Sequence, residues 1–300
     1  LAVAQTDSSA IYSITANVPT SQFNRGPFQE LNLHHQADFN NVIKPVVKRS
    51  FQPSRVEMLP LAMRQAAMTM TTGRPGPVNL DIPYNLFQEE ADVTEEVAGS
   101  SFGKRRSGAS NEDVTTIVDS LLAAKCPVIF IGHGVTLSEA SKELTALAKH
   151  LNIPVISSPN GMGCMNMSDP LSLGFIGRNG AYQANQAGRH SDVVLAIGVR
   201  FDDRSASSWR EGYSWNFPKT KLIHVDVDHA EIGRNYLPDM AILADARAFL
   251  TQVLAELDRR DVGSDPRLTG WHADIAGWKK EWDAFVAPGF ATHSSPIRPE

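Results

Sequence analysis

The stretch Val193-Val194-Leu195-Ala196-Ile197-Gly198-Val199-Arg200-Phe201-Asp202-Asp203-Arg204 decides the fold of this chain. It opens with an unbroken apolar run, the pattern of a strand buried on both faces of a parallel sheet. A similar run follows at 222–228. Both runs end in Gly, Arg or Asp, and such residues at the carboxyl ends of buried strands form the ligand-binding edge of open α/β sheets. An arginine there can hold phosphate, although ordinary strand-end loops show the same pattern.

Strand and helix patterns alternate around this stretch. Apolar runs and apolar residues at helical spacing predict strands at 127–131, 154–157, 193–197 and 222–227, and helices over 110–122, 137–151, 183–190 and 249–257. Thr136-Leu137-Ser138-Glu139 has the spacing of a capping box, which predicts that the second of these helices begins there. The alternation indicates an α/β fold with doubly wound parallel sheets and right-handed crossovers.

A first unit precedes this central region and is predicted to cover residues 1–95. Strands are predicted at 11–15 and 78–82, and a helix over 58–70 with apolar residues at steps of three and four. The helix ends at the Gly- and Pro-rich stretch that begins at Gly73.

Two further boundaries divide the rest of the chain. The Gly/Ser-rich, basic stretch 96–110 is predicted to be a solvated linker, and 111–260 to be a Rossmann-like central domain. Residues 261–300 are interpreted as a second linker and the start of another domain. Three tryptophans there share one predicted helix face, interpreted as a packing face: Trp271, Trp278 and Trp282.

Composition excludes several functional classes. The 300 residues are enough for about two domains, and 42% hydrophobic with 20% charged residues is ordinary for a globular protein. A net charge of −5 without a long basic run argues against a nucleic-acid partner. No apolar run is long enough to predict a membrane span. Cys126 and Cys164 form no disulfide framework or metal motif, which fits a reducing cytoplasm.

The two ends of the chain read as the interior of a longer protein. Leu1 begins within an apparent domain, no signal-peptide pattern follows, and the segment after Ser295 resembles the entry to another helix. We therefore expect a fragment.

Glycine-rich turns are the candidate ligand contacts. Gly132-His133-Gly134 follows the strand at 127–131, where backbone can approach a phosphate, but Leu137 occupies the third glycine position of the dinucleotide fingerprint. A tight strand–helix turn is an equal interpretation. The loop at 174–180 also allows close approach of a planar ring or pyrophosphate. The histidines are scattered, and no metal site of protein ligands is predicted.

Several motifs together resemble thiamine-diphosphate-dependent enzymes of the acetolactate synthase large-subunit type. The matching segments are Phe28-Gln29-Glu30, Pro45-Val46-Val47-Lys48, Gly73-Arg74-Pro75-Gly76-Pro77-Val78 with Asp81-Ile82-Pro83, the segment 169–174, Gly198 to Arg204, and the segment 224–233. The resemblance covers nearly the whole chain. The R-F-D-D-R run is its narrowest element and resembles the flavin-binding synthase branch.

The resemblance implies a three-domain subunit with thiamine diphosphate, Mg²⁺ and FAD. This chain would hold the C-terminal part of the pyrimidine-binding domain, the whole central domain and the start of the diphosphate-binding domain. In that family an activating glutamate lies upstream and a Mg-diphosphate motif downstream, so we expect no catalytic residue in this chain and no activity from it alone. FAD in the family is structural.

The resemblance also carries functional positions onto this sequence. Substrate-channel positions are Phe28, Gln29, Lys48, Asp203 and Arg204, and FAD-contacting positions are Gly132, Gly134, Ser157, Gly177, Gly198, Arg200, Asp226 and Asp245. Lys48 and Arg204 suit a carboxylate, and arginine binds one bidentately. Surface ion pairs for these two residues, and a buried cap for Gln29, are the structural alternatives.

The implied reaction is a carboligation in branched-chain amino acid biosynthesis, in the cytoplasm. The enzyme would decarboxylate pyruvate and transfer the two-carbon unit to a second 2-keto acid. The resemblance implies a homodimer or homotetramer, to which a regulatory subunit can bind. His133 stands where the family usually has Gly, and Arg178 stands where it has Met. We expect the charge of Arg178 to pair with a flavin phosphate or with a partner subunit. Glyoxylate carboligase, a 2-keto acid decarboxylase and a non-catalytic nucleotide-binding module remain alternatives.

Overall fold

The computed structural model describes residues 1–28, 39–92, 106–263, 266–291 and 295–296. The chain divides into two compact units, Leu1–Arg105 and Arg106–Glu300. Each unit is an α/β structure in which every pair of neighbouring strands is parallel. The predicted α/β class with parallel sheets is therefore confirmed.

The first unit contains a small sheet covered by a helix. Its strands and helices are β1 (Tyr12–Asn17), β2 (Arg49–Phe51), β3 (Val78–Pro83), α1 (Ala2–Thr6), α2 (Phe39–Ile43) and α3 (Leu59–Thr71). The strand order is β1-β3-β2. Shorter 3₁₀ helices lie at Thr20–Gln22, Lys44–Val46, Val56–Met58 and Tyr84–Phe87.

The central strand β3 is buried on both faces for two different reasons. Val78, Leu80 and Ile82 join the apolar cluster that includes residues of α3. On the opposite face the buried Asp81 carboxylate accepts hydrogen bonds from Asn17 Nδ2 at 2.6 Å and Gln52 Nε2 at 2.8 Å. Buried polar groups are tolerated when they are bonded in this way.

The second unit contains a larger sheet flanked by helices. Its strands are β4 (Pro127–Ile131), β5 (Val155–Ser157), β6 (Ser172–Phe175), β7 (Val193–Ile197), β8 (Lys221–Asp226) and β9 (Met240–Leu243). Its helices are α4 (Asn111–Ala123), α5 (His133–Leu137), α6 (Ser141–Leu151), α7 (Tyr182–His190), α8 (Ala246–Arg259) and α9 (Thr269–Phe290), with 3₁₀ helices at Pro159–Gly161 and Pro266–Leu268.

The strand order β6-β5-β4-β7-β8-β9 defines the topology of this sheet. The chain runs outward from β4 to β6, returns to the centre at β7, and then runs outward to β9. Connections therefore leave in opposite directions from β4 and β7, which makes their carboxyl ends the topological switch point where such sheets bind ligands. The four strands predicted in this region are present; β6 and β9, which are short and only partly buried, were not predicted.

The predicted capping box at residues 136–139 is wrong. The helix α5 ends at Leu137, and α6 begins at Ser141 with Ala140 at its N-cap. Glu139 has a φ of 58° between the two helices, so its side chain cannot complete the box. The break allows Ala140 and Leu144 to be fully buried, and core packing here outweighs the local capping signal.

The flanking segments pack against the second unit. Residues 96–105 of the predicted linker lie outside the described residues, but Ser107 O accepts a hydrogen bond from Asp245 N at 2.8 Å, which joins 106–110 to the second unit. The helix α9 belongs there as well, because Trp271 is buried and its Nε1 donates to Pro127 O at 3.1 Å. Trp278 stacks on His190, which makes this a packing face as predicted.

Replacing Ser110 with alanine should destabilise the second unit by about 1 kcal/mol. Ser110 is the N-cap of α4, and its Oγ accepts a hydrogen bond from Asp113 N at 3.0 Å. Urea unfolding followed by tryptophan fluorescence measures the change. Ser110→Asp, which keeps an acceptor, should recover most of it; equal losses in both variants would contradict the capping role.

Candidate functional site

The carboxyl edge of the second sheet gathers the positions predicted to contact FAD. Each strand contributes one at or just beyond its end, in sheet order Gly177, Ser157, Gly132, Gly198, Asp226 and Asp245. Gly134 and Arg200 follow Gly132 and Gly198 by two residues. The structure thus brings together at one edge eight positions that are dispersed over the sequence.

Three glycines fix the switch point by direct backbone contact. Gly132 N donates to Ile197 O and Gly134 N to Gly198 O, both at 3.1 Å. A Cβ at Gly132 would lie 2.1 Å from Gly198 O, and one at Gly134 would lie 2.6 Å from Gly198 Cα. The glycines are therefore required by the tight turn itself, independently of any ligand.

The loop after β6 arches over to the loop after β7. Gly177 has a φ of 118°, and a Cβ there would lie 1.8 Å from Arg204 O. Arg178 N donates to Arg204 O at 3.2 Å. Because β5 and β4 lie between β6 and β7 in the sheet, this contact joins two loops across the carboxyl edge.

Asn185 supports the same loop and was not predicted. Its Oδ1 accepts from Gly177 N at 3.2 Å and its Nδ2 donates to Gly177 O at 2.9 Å. Asn185 lies on α7 with buried alanines on either side, at positions 184 and 187. The only signal for this role in the sequence was one amide side chain among the small residues on one face of the helix.

A small cavity lies beside the end of β5. Its wall includes Ser157, Gly161, Met162, Met165 and Met167. Ser157 Oγ is buried and has no hydrogen-bond partner among the described residues. A buried hydroxyl without a partner is a group that a ligand or water can satisfy.

Arg200 and Asp226 provide opposite charges at the ends of neighbouring strands. The Arg200 guanidinium is half-buried and makes no hydrogen bond or ion pair with any residue that the structure describes. The buried Asp226 carboxylate accepts from Asp228 N at 2.9 Å. An uncompensated guanidinium beside a glycine-rich turn suits an anionic group such as phosphate.

Asp245 differs, because its carboxylate already serves the fold. One oxygen accepts from Arg247 N and Ala248 N as the N-cap of α8. The other accepts from Ser138 Oγ, and Arg106 Nε lies 3.2 Å from the carboxylate. These contacts explain the residue without a ligand, and its FAD contact stays a prediction.

The segment 202–204 forms a compact turn with two distinct side-chain roles. Asp202 Oδ1 accepts from Arg204 N at 3.0 Å and Ser205 N at 2.8 Å, which fixes the turn. Asp203 Oδ2 accepts from the guanidinium of Arg178 at 2.9 Å. The side chain of Arg204 is exposed and unpaired within the described part of the chain. Arg178 therefore pairs with Asp203 within this chain, and its contact with a flavin phosphate or a partner subunit stays a prediction.

A cluster of aromatic side chains packs around Phe201, the residue directly before this turn. Phe201 is buried, and its ring centroid lies 5.1 Å from that of Phe130 and 5.6 Å from that of Trp215. Phe201 has a φ of 48°, and its carbonyl accepts from Trp209 Nε1 at 2.9 Å and Asn235 Nδ2 at 3.0 Å. Packing and hydrogen bonds thus hold a backbone conformation that phenylalanine rarely adopts.

His224 packs in the same cluster and stays neutral. Burial lowers the pKa of its imidazole, and the ring contacts Phe201 edge-on. Its Nε2 lies 2.8 Å from Val199 O, so this nitrogen carries the proton and donates it. The residue is a core histidine, as its apolar surroundings in the sequence indicated.

The substrate positions of the first unit have other contacts. Lys48 Nζ donates to Thr72 O and Arg74 O, both at 2.8 Å, and so secures the Gly- and Pro-rich turn. Phe28 is 90% exposed, and Gln29 lies outside the described residues. Two carbonyl oxygens thus hold the Lys48 ammonium group, and its contact with a substrate carboxylate stays a prediction.

The described residues contain neither a metal-ligand cluster nor a membrane-spanning helix. Across 1–28, 39–92, 106–263, 266–291 and 295–296, no three His, Cys, Asp or Glu side chains are arranged to hold a metal ion. In the same ranges no helix has the length and apolarity to span a membrane.

Comparison with known proteins assigns the family. The profile of the thiamine pyrophosphate enzyme central domain matches residues 114–253. The probable acetolactate synthase large subunit of Methanococcus aeolicus is 35% identical over 100% of this chain and 49% of its own length. The chain belongs to the thiamine-diphosphate enzymes of the acetolactate synthase type.

Bacterial acetolactate synthases give the same result. The large subunit of Haemophilus influenzae is 34% identical over 92% of this chain and 47% of its own length. The isozyme 3 large subunit of Escherichia coli is 29% identical over 100% of this chain and 50% of its own length. The chain spans about half the length of the curated relatives that it matches.

Proposed function

We propose that the protein containing this chain is a thiamine-diphosphate-dependent carboligase. It decarboxylates a 2-keto acid, with pyruvate as the expected donor, and transfers the two-carbon unit to a second 2-keto acid. Two findings support this proposal: the similarity to acetolactate synthase large subunits along the whole chain, and the unpaired Arg204 guanidinium at the carboxyl edge. The second is the observation that carries it, because an unpaired guanidinium suits the carboxylate of a keto acid.

The bound cofactor supplies the electron sink for decarboxylation. The residues of this chain bind and orient. Arg204 holds a substrate carboxylate, and Asp202 fixes the backbone of the turn from which the Arg204 side chain projects. A fixed attachment point lowers the cost of orienting the keto acid for reaction.

FAD fits the same edge as a structural group. Arg200 has no partner among the described side chains and suits the diphosphate, and the unsatisfied hydroxyl of Ser157 suits a polar ring atom or ribose oxygen. Asp226 is the last residue of β8, a position where carboxylates accept from ribose hydroxyls in related folds. We assign Mg²⁺ and the activation of thiamine to parts of the protein outside this chain.

The assembly and compartment are part of the same proposal. We propose a homodimer or homotetramer in the cytoplasm, with a regulatory subunit as a further partner. Burial raises the pKa of the Cys164 thiol and keeps it protonated, and free thiols suit a reducing compartment.

Arg200→Ala should weaken FAD binding at least about tenfold, because it removes a charge-assisted hydrogen bond. The full-length protein is incubated with FAD and desalted, and retained flavin is read from its visible absorbance. Arg210→Ala is the matched control, since Arg210 is exposed, makes no side-chain hydrogen bond or ion pair with the described residues, and carries the same charge. Equal retention in both variants would remove Arg200 from the site.

The reaction is tested by supplying pyruvate with a panel of 2-keto acid acceptors. A carboligation product from the full-length protein with thiamine diphosphate and Mg²⁺ supports the proposal. Release of carbon dioxide and aldehyde alone would indicate a decarboxylase, and a product from glyoxylate alone would indicate a glyoxylate carboligase. No turnover together with no binding of thiamine diphosphate would favour the non-catalytic module.

A further inference from the structure

Arg178 pairs with Asp203, the residue directly before Arg204. The carboxylates in the segment 202–204 belong to Asp202, whose Oδ1 accepts from two backbone amides, and to Asp203. An exposed guanidinium can pair with an adjacent carboxylate, and that attraction weakens when a second guanidinium already neutralises the carboxylate. Arg178 holds it, with its guanidinium 2.9 Å from Asp203 Oδ2.

The backbone places Arg178 for this contact. Arg178 N donates to Arg204 O, and the missing side chain at Gly177 lets the two loops approach closely enough for that bond. Asn185 fixes Gly177 from the other side. The ion pair is therefore built onto a rigid loop contact, although both of its side chains are half-exposed.

We propose that Arg178 is a positioning residue that sequesters Asp203 and so keeps Arg204 free for the carboxylate of a 2-keto acid. The inference rests on the proposed function for the identity of the ligand, and on the Arg178–Asp203 pair and the adjacency of Asp203 and Arg204 for the competition. In stability the pair contributes little, because exposed ion pairs generally do. The pair affects the fraction of molecules in which the Arg204 guanidinium is unpaired. The apparent affinity for the 2-keto acid falls in proportion to that fraction.

Arg178→Met removes the charge and keeps a side chain of similar length. Asp203 is then free to pair with Arg204, and we expect the KM for the 2-keto acid to rise about fivefold, with kcat within about twofold. Arg178→Lys keeps a charge that can reach Asp203 and should stay close to wild type. The full-length protein with its cofactors is used, and KM and kcat are measured separately.

The decisive variant is the double substitution Arg178→Met with Asp203→Asn. Removing the competing charge should lower KM again from its value in Arg178→Met, to about that of Asp203→Asn alone; this single variant is the reference because Asp203 is itself a predicted substrate-channel position. A residue that merely staples two loops would give a double variant as impaired as Arg178→Met or worse, and that result would overturn the proposal. An unchanged KM in Arg178→Met would overturn it as well.

A second readout does not depend on turnover. Phenylglyoxal modifies free guanidinium groups, and peptide mass spectrometry measures the rate at Arg204. We expect slower modification in Arg178→Met than in wild type, and recovery in the double variant. A wild-type protein without carboligase activity would refute the proposed function, whereas equal labelling of Arg204 in all three proteins would refute the role of Arg178.

Discussion

Replacing Gly132 with alanine should lower the free energy of unfolding of the second unit by about 3 kcal/mol or more. The new Cβ would lie 2.1 Å from Gly198 O and 2.8 Å from Val199 Cα. Both atoms belong to the backbone, so no flexible side chain can move aside. The ends of β4 and β7 would have to separate at the switch point, and retention of FAD should fall with stability.

The measurement follows from the distribution of tryptophan. All five tryptophans lie in the second unit, so their fluorescence during urea unfolding reports on this unit alone. Gly277→Ala is the matched control. Gly277 lies inside α9 with nothing within 4 Å of its ideal Cβ, and alanine there should stabilise by about 0.5–1 kcal/mol. If the two variants unfold at the same urea concentration, the β4–β7 contact is not as tight as described.

The sequence predicted the architecture best where burial is complete. β4 and β7 are five-residue runs buried at every position, and both were predicted with their observed bounds. β9 has one buried residue in four, and β6 is interrupted by Gly174 at a φ of 85°. A strand with so few buried apolar residues cannot be distinguished from a loop by its own sequence. Pairing with a neighbouring strand stabilises it, and that pairing leaves no pattern in the sequence of the strand itself.

The site was predictable in its location and not in its contacts. Sequence patterns placed the candidate residues after buried strands, and the sheet order then brought them to one edge. The link from Arg178 to Asp203 crosses two intervening strands, and no local periodicity encodes such a pair. For the same reason the sequence could not show that Asp245 caps a helix while Arg200 is left unpaired, since the difference depends on which loops meet.

Replacing Phe201 with alanine should destabilise the second unit by about 3–5 kcal/mol. The side chain is almost fully buried, and its ring contacts five others, those of Phe130, Trp215, Phe217, His224 and Tyr236. Truncation leaves a cavity among rigid rings that cannot close without moving the strand ends. Fluorescence should also change before unfolding, because the indole of Trp215 loses a neighbour.

The same substitution tests whether the cluster positions Arg204. Phe201 directly precedes the turn at 202–204, and its carbonyl accepts two side-chain hydrogen bonds that depend on this backbone conformation. We therefore expect a higher KM for the 2-keto acid at urea concentrations where the variant is still folded. Phe285→Ala, at a side chain that is 75% exposed on α9, should change stability by less than about 0.5 kcal/mol and leave KM unaltered. A Phe201 variant that loses stability but keeps the wild-type KM would show that the turn holds Arg204 through Asp202 alone, without support from the aromatic cluster.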